Sequence, residues 1–177
     1  MKYILLISTL FSLFLFQGCL IVHKVSYKIS MNSARKGTVT VSFSDIRSDA
    51  IGNKEFAEDR ANLFDYMLKS TDFPASMKME GKIIKDRKLT VTDGKLNGQA
   101  IYDFNDIEKV EGFRLQDGFC YLTLQTEDSV LTTNGEVLRG DGYKRIMWSG
   151  DAKKIEFEIL SGQTAEQTRD LVPYYRP

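Results

Sequence analysis

Two cysteines, one histidine and a scatter of carboxylates are the residues in this 177-residue chain whose types could carry chemistry. Cys19 ends the stretch Phe16-Gln17-Gly18-Cys19, directly after an apolar run. A thiol behind a small residue at that place is a nucleophile to which a diacylglycerol can be attached. Cys120 lies in "FCYLTL" with Leu122 and Leu124 at strand spacing, the setting of a buried structural thiol. A reactive thiol needs an exposed, electropositive site. His23 is only four residues past Cys19 and reads as a polar residue beside a membrane. A Ser-His-Asp or Cys-His arrangement needs its histidine held in a cleft.

The carboxylates Glu58, Asp59, Asp103, Asp106, Glu108, Glu127, Asp128 and Asp151 leave a glycosidic hydrolase open, because two placed carboxylates suffice for that reaction. Their dispersal is that of solvated faces and turns. No His/Cys cluster has zinc spacing, and no Gly-rich phosphate loop is present. "RGDGYK" lacks the ligand ladder of a calcium loop and reads as a turn. Its Arg139-Gly140-Asp141 is too short to argue integrin binding. The expectation is a chain with no catalytic residue, no metal site and no cofactor.

The approach to Cys19 decides more. Lys2 gives a short positive start. Residues 3–16 form a run of 14 whose polar members are Ser8, Thr9, Ser12 and the Tyr3 hydroxyl. A helical span needs about 20 apolar residues, so this run has the length of a signal peptide's apolar region. Residues 3–22 together could cross a bilayer as an uncleaved anchor. With Gly18-Cys19 behind it, the start resembles a bacterial lipoprotein signal peptide. Phe16 stands where Leu is usual, and Gln17 where a small residue is usual. The resemblance implies removal of residues 1–18, lipid attachment at Cys19 with palmitate-type acyl chains, and a place in the cell envelope. Leu20, in the position where Asp retains lipoproteins in an inner membrane, favours the outer membrane, facing the periplasm. In a one-membrane organism the same signal means the outer face of the plasma membrane.

Composition sets further bounds. Lys and Arg number 24, Asp and Glu 24; loss of residues 1–18 leaves 23 basic residues against 24 acidic. So even a balance argues against nucleic acid as a partner. With Cys19 modified, Cys120 has no disulfide partner, and the fold must rest on its core. Hydrophobic residues at 42% and charged ones at 27% suit one globular domain.

The elements that would position these residues follow from periodicity. Val25, Tyr27, Ile29 and Met31 alternate with polar residues, so a strand starts within a few residues of Cys19 with no flexible leash. "GTVTVSFSDI" continues the alternation across the loop "MNSARKG". In "NKEFAEDRANLFDYMLKS", Phe56, Ala57, Ala61, Phe64, Met67 and Leu68 recur at three and four residues. That predicts an amphipathic helix over 53–70, capped by Asn53 or Ser48 and blocked by Pro74. Five Asx-Gly pairs, at 93–94, 97–98, 117–118, 134–135 and 141–142, predict hairpin turns. They bound the strands "IIKDRKLTV", "GQAIYDF", "GFCYLTLQTE", "SVLTTN", "KRIMWS" and "KIEFEIL". "NDIEKVEG" fits a short helix capped by Asp103 or Asn105. The expectation is an α+β fold, an antiparallel sheet of hairpins with one amphipathic helix on one face. The signal occupies 1–18, a single domain 19–160, and a tail, flexible or laid on the surface, 161–177.

Twenty aromatics are present, and Trp148 suits a core anchor or, less often, a ligand platform. A helix across a curved sheet can leave an apolar cavity that takes amphiphiles. Met67, Met77, Met79 and Met147 are adaptable side chains for its lining. The succession of Cys19, "VSYKISMNSARKGTVTVSF", the helix at 53–70, and Asn134-Gly135 leading to Trp148 resembles the LppM-type bacterial lipoproteins. That resemblance implies a membrane-attached α+β domain binding lipid or glycolipid, and transfers no functional residue. The expected function is a non-enzymatic, lipid-anchored envelope protein that binds an amphiphile or the lipid surface. The alternative is an interaction subunit docking on an envelope protein assembly; a cell-wall hydrolase stands third.

Overall fold

The computed structural model describes residues 20–161 and 167–177. Cys19 and the signal-like start lie outside them. Strand β1 (Leu20–Met31) opens at the first described residue, so Cys19 is bonded directly to a strand. It pairs with β2 (Gly37–Ser48). A continuous helix follows, α1 (Asn53–Arg60) running into a π-helix (Ala61–Lys69), and then α2 (Asp72–Met79). β3 (Lys82–Thr92) and β4 (Lys95–Phe104) complete one half of a sheet. Next come β5 (Phe113–Gln116), β6 (Phe119–Leu124), β7 (Ser129–Thr133), β8 (Glu136–Gly140), β9 (Tyr143–Ser149), β10 (Lys154–Leu160) and the two-residue β11 (Arg169–Asp170).

The strands form two antiparallel sheets. The larger has the order β3-β4-β2-β1-β10-β7, with β11 also on β2; the smaller has the order β5-β6-β9-β8. The fold is thus α+β, mostly antiparallel sheet with one principal helix. The helix, however, covers only part of the large sheet. The small sheet covers the rest, closing a core of Ile29, Val39, Phe113, Ile146, Trp148 and Phe157. A second core, of Leu20, Ile46, Phe56, Leu63, Phe64 and Leu171, lies under the helix.

A kink separates the two cores. Tyr27, Ile29, Val39 and Val41 pack inward at odd positions, whereas Leu20, Val22 and Ile46 pack inward at even ones. The change falls at Asp45, whose φ is +56°, where β4 ends its pairing with β2 at Phe43↔Gly98. There the Asp45 N–H donates to Asn97 Oδ1 at 3.1 Å, and β11 takes over beside Arg47 and Ser48.

Several local expectations are corrected. Neither Asn53 nor Ser48 caps the helix; Gly52 stands at the N-cap, and Asn53 Oδ1 accepts from Arg169. Ala57 and Ala61 are exposed, and the inward face runs instead through Phe56, Asp59, Leu63 and Phe64. Pro74 does not simply end the helix. It sits in the first turn of α2, where its missing N–H costs nothing. The short helix at Ile107–Lys109 is capped by Asp106, not Asp103 or Asn105. Residues 167–177 lie along the domain, most of them exposed, and are held there by the fully buried Leu171 and by the Tyr175 hydroxyl, which donates to the Leu89 carbonyl at 2.9 Å.

Candidate functional site

The kinked sheet, the π-helix and α2 border a half-open apolar cavity of about 270 Å³. Its floor is sheet: Tyr27, Val41 and Phe43 beside Gly98 and Ala100, the two smallest residues of β4. Its roof is Leu63, Met67, Leu68, Phe73 and Met77. Gly98 and Ala100 keep the floor low, and at Gly98 the side chains of Ile46, Leu89 and Phe43 already close in. A Cβ on Gly98 would already lie 3.1 Å from Ile46 Cδ1. The spacing of Leu63, Met67 and Leu68 matches the wide π turn, and such turns are frequent at functional sites. Leu20 and Val22 also line the cavity, so the covalent neighbour of Cys19 belongs to its wall.

Three charged residues reach this apolar space. Glu111 is paired with the buried Lys82, which also lies 3.6 Å from Glu80. Lys88 flanks the wall. Arg87 is placed by a β-bulge between Ile84 and Asp86. Before it, Lys82 and Ile84 oppose the inward Phe104 and Tyr102; after it, Arg87 and Leu89 oppose Ala100 and Gly98. One extra residue thus turns Arg87 toward the cavity and Asp86 away, as bulges re-aim side chains elsewhere. Arg87 Nη2 donates to the Ser70 carbonyl at 2.5 Å, and its Cζ lies 5.7 Å from the Phe73 ring centre. Nη1 is buried with no hydrogen-bond partner among the described residues. Burial lowers the guanidinium's pKa. Burial likewise raises the phenol pKa values of Tyr27 and Tyr102 well above their ordinary value.

No protein-family model, curated protein or solved structure matches this chain. Its function has to be argued from its own side chains.

The residues singled out by sequence fall in different places. Cys19 lies outside the described residues. His23 is exposed on β1. Cys120 is buried, and that burial pushes its thiol up to about 12. Trp148 is in the core between the sheets. Met67 and Met77 line the cavity, whereas Met79 is exposed and Met147 lies on β9 of the small sheet. The sequence reading missed Arg87 and Glu111, since the bulge that turns Arg87 inward has no sequence signature.

Most of the carboxylates are tied to bases or hydroxyls. Asp106 and Glu108 share Arg35 at 2.6 and 2.8 Å, and those bonds hold both below the usual carboxylate range. Asp103 is held low by Lys85 and Thr38. Asp59 differs in being fully buried, with Oδ2 accepting from the Ser48 hydroxyl at 2.5 Å and Oδ1 unpartnered among the described residues. Burial raises its pKa; the Ser48 hydrogen bond opposes the rise, and Asp49 and Glu58 add to it. Among the described residues, no three of His, Cys, Asp or Glu gather to hold a metal ion.

Asp59 gives a pH prediction. Its folded pKa is raised, so the native state holds the proton more tightly than the unfolded chain. Its contribution is therefore most favourable below the unfolded value, about 3.9, and declines as pH rises through the folded one. Asp59→Asn keeps an acceptor for Ser48 and removes the buried charge. The variant is expected to be more stable than the parent at pH 7 by about 1 kcal/mol, with the gap closing toward pH 4. Thermal melts at the two pH values check this; a gap that widens on acidification would contradict it.

Proposed function

We propose that this chain is a bacterial envelope lipoprotein, anchored through Cys19, that binds the apolar part of an amphiphile and performs no catalysis. The observation that carries this reading is the apolar cavity whose wall includes Leu20, the residue bonded to Cys19. A protein so attached would hold its cavity against the bilayer, with no leash between. The length and composition of residues 1–18 and the likeness to LppM-type lipoproteins support the same placement, with the outer membrane, facing the periplasm, favoured by Leu20. In this reading the helix over 53–69 is amphipathic, its apolar side forms the roof, and the sheet grows by hairpins.

A cavity lined almost wholly by carbon has little to offer a polar substrate, and cavities of this kind take up apolar guests. The pairing of Asp106 and Glu108 with Arg35, and the complete burial of Asp59, weigh against a hydrolase. The docking alternative draws on β3, an edge strand of 11 residues that pairs with β4 alone. That edge carries a bulge and the charges of Lys85, Asp86 and Lys88, devices that protect edges from further pairing.

Ala100→Trp tests the reading by filling the floor. The full-length protein, extracted from membranes and analysed by native mass spectrometry, is expected to carry a lipid that the variant lacks. The variant should melt within a few degrees of the parent. Clean apoprotein from the parent, or equal lipid in both, would refute binding in this cavity.

A further inference from the structure

The fold accounts for one arm of the Arg87 guanidinium and not the other. Its Nη2 bond to the Ser70 carbonyl ties β3 to the turn before α2. Its Nη1 is buried without a partner among the described residues, at the border of an apolar space. A buried donor left without a partner is costly, and structures seldom keep one without something to offset it. The acidic residue that also lines the cavity, Glu111, is already paired with Lys82. The bulge that turns Leu89 into the second core, and Asp86 away from it, brings Arg87 inward with it. A guanidinium is suited to the fork of a carboxylate or phosphate, and burial strengthens that pairing.

Taken with the cavity's size, this defines a ligand. At about 270 Å³ the pocket is at the small end of ligand pockets, which run from about 300 Å³ upward, and so suits one acyl chain. We infer that the cavity binds a single-chain amphiphile with an anionic head, the head on Arg87 Nη1 beside Phe73 and the chain over Gly98 and Ala100 beneath Met67. This rests on the cavity reading above and adds to it the charge of the head and the number of chains.

The test is equilibrium binding to full-length protein held in amphipol, with radiolabelled hexadecanoate, hexadecyl phosphate, methyl hexadecanoate, a two-chain phosphatidic acid and inorganic phosphate as probes. Hexadecanoate and hexadecyl phosphate should bind; their ratio tells whether a carboxylate or a phosphate is the preferred head. Methyl hexadecanoate should bind about tenfold more weakly, and the two-chain lipid and inorganic phosphate more weakly still. Arg87→Gln should weaken hexadecanoate by about tenfold and leave methyl hexadecanoate unchanged. Arg87→Lys, which keeps the charge without the fork, should fall between. If the parent binds hexadecanoate and its methyl ester equally, and Arg87→Gln changes neither, the head is not on Arg87 while the cavity reading stands. If the parent binds none of the single-chain probes, both fall. Should Arg87→Gln fail to fold, the acid-to-ester ratio in the parent and Arg87→Lys still decide.

Discussion

Trp148→Ala is expected to lower stability by about 3–5 kcal/mol, the range for deleting a buried aromatic from a packed core. Trp148 is 4% exposed and sits between the two sheets, with its ring centre 5.8 Å from Phe113 and 5.7 Å from Phe157. Its indole N–H also donates to Asn134 Oδ1 at 2.8 Å. The same oxygen accepts from the Glu156 N–H at 2.8 Å, and Asn134 Nδ2 donates to the Lys154 carbonyl at 3.0 Å. Asn134 therefore ties β10 of the large sheet to β9 of the small one, at the point where the chain passes from β7 to β8. Truncation at 148 opens a void and removes one arm of that tie. Trp148→Phe largely separates the two effects, since it loses the donor but keeps most of the ring volume. It should cost about 1–2 kcal/mol. Denaturant unfolding followed by far-ultraviolet circular dichroism measures both. Equal costs for the two variants would mean that the hydrogen bond, not the packing, holds the sheets together.

The Asn134-Gly135 pair shows why such features were only half legible. An Asx-Gly pair announces a backbone that tolerates tight or left-handed conformations, without saying how that freedom is used. At Asp93-Gly94 and Asp117-Gly118 both residues have positive φ and join antiparallel neighbours, as the turn rule predicts. At Asn97-Gly98 the same pair lies inside β4, where Gly98 makes floor space under Leu89 and Ile46. At Asn134-Gly135 it is a switch between sheets, and a Cβ on Gly135 would come within 2.5 Å of Trp148 Nε1. Alternation identified the strands well, because one face of each is buried and the other polar. It could not say which strands share a sheet. The four-residue β5 and five-residue β8 are too short for a period to register. What seats the end of the chain was not legible for a related reason: Leu171 is buried with Val172 and Tyr175 packed beside it, too few positions for a period to register. Arg87 was hidden more deeply: its inward direction depends on a bulge, and a one-residue slip in pairing exchanges the two faces of a strand.

Cys19→Ser is expected to abolish fatty acylation and, with it, stable membrane attachment of the mature protein. Among the described residues no helix is long and apolar enough to cross a membrane. The run at residues 3–16 is shorter than the roughly 20 residues of a helical span. If residues 1–18 are removed, attachment falls to the acyl chains alone. Each buried methylene contributes about 0.8 kcal/mol, and one chain holds only reversibly, so two or more are needed for a lasting anchor. Metabolic labelling with an alkyne fatty acid should mark the parent and leave Cys19→Ser unmarked. Intact mass of the membrane-extracted parent should show an N-terminus at Cys19 with added acyl mass. An unacylated parent that still carries residues 1–18 would be the uncleaved anchor instead. The consequence reaches the cavity as well. Leu20 lies in its wall, so a thioether at 19 would fix the binding space at the bilayer surface, where an amphiphile can leave the membrane without crossing water.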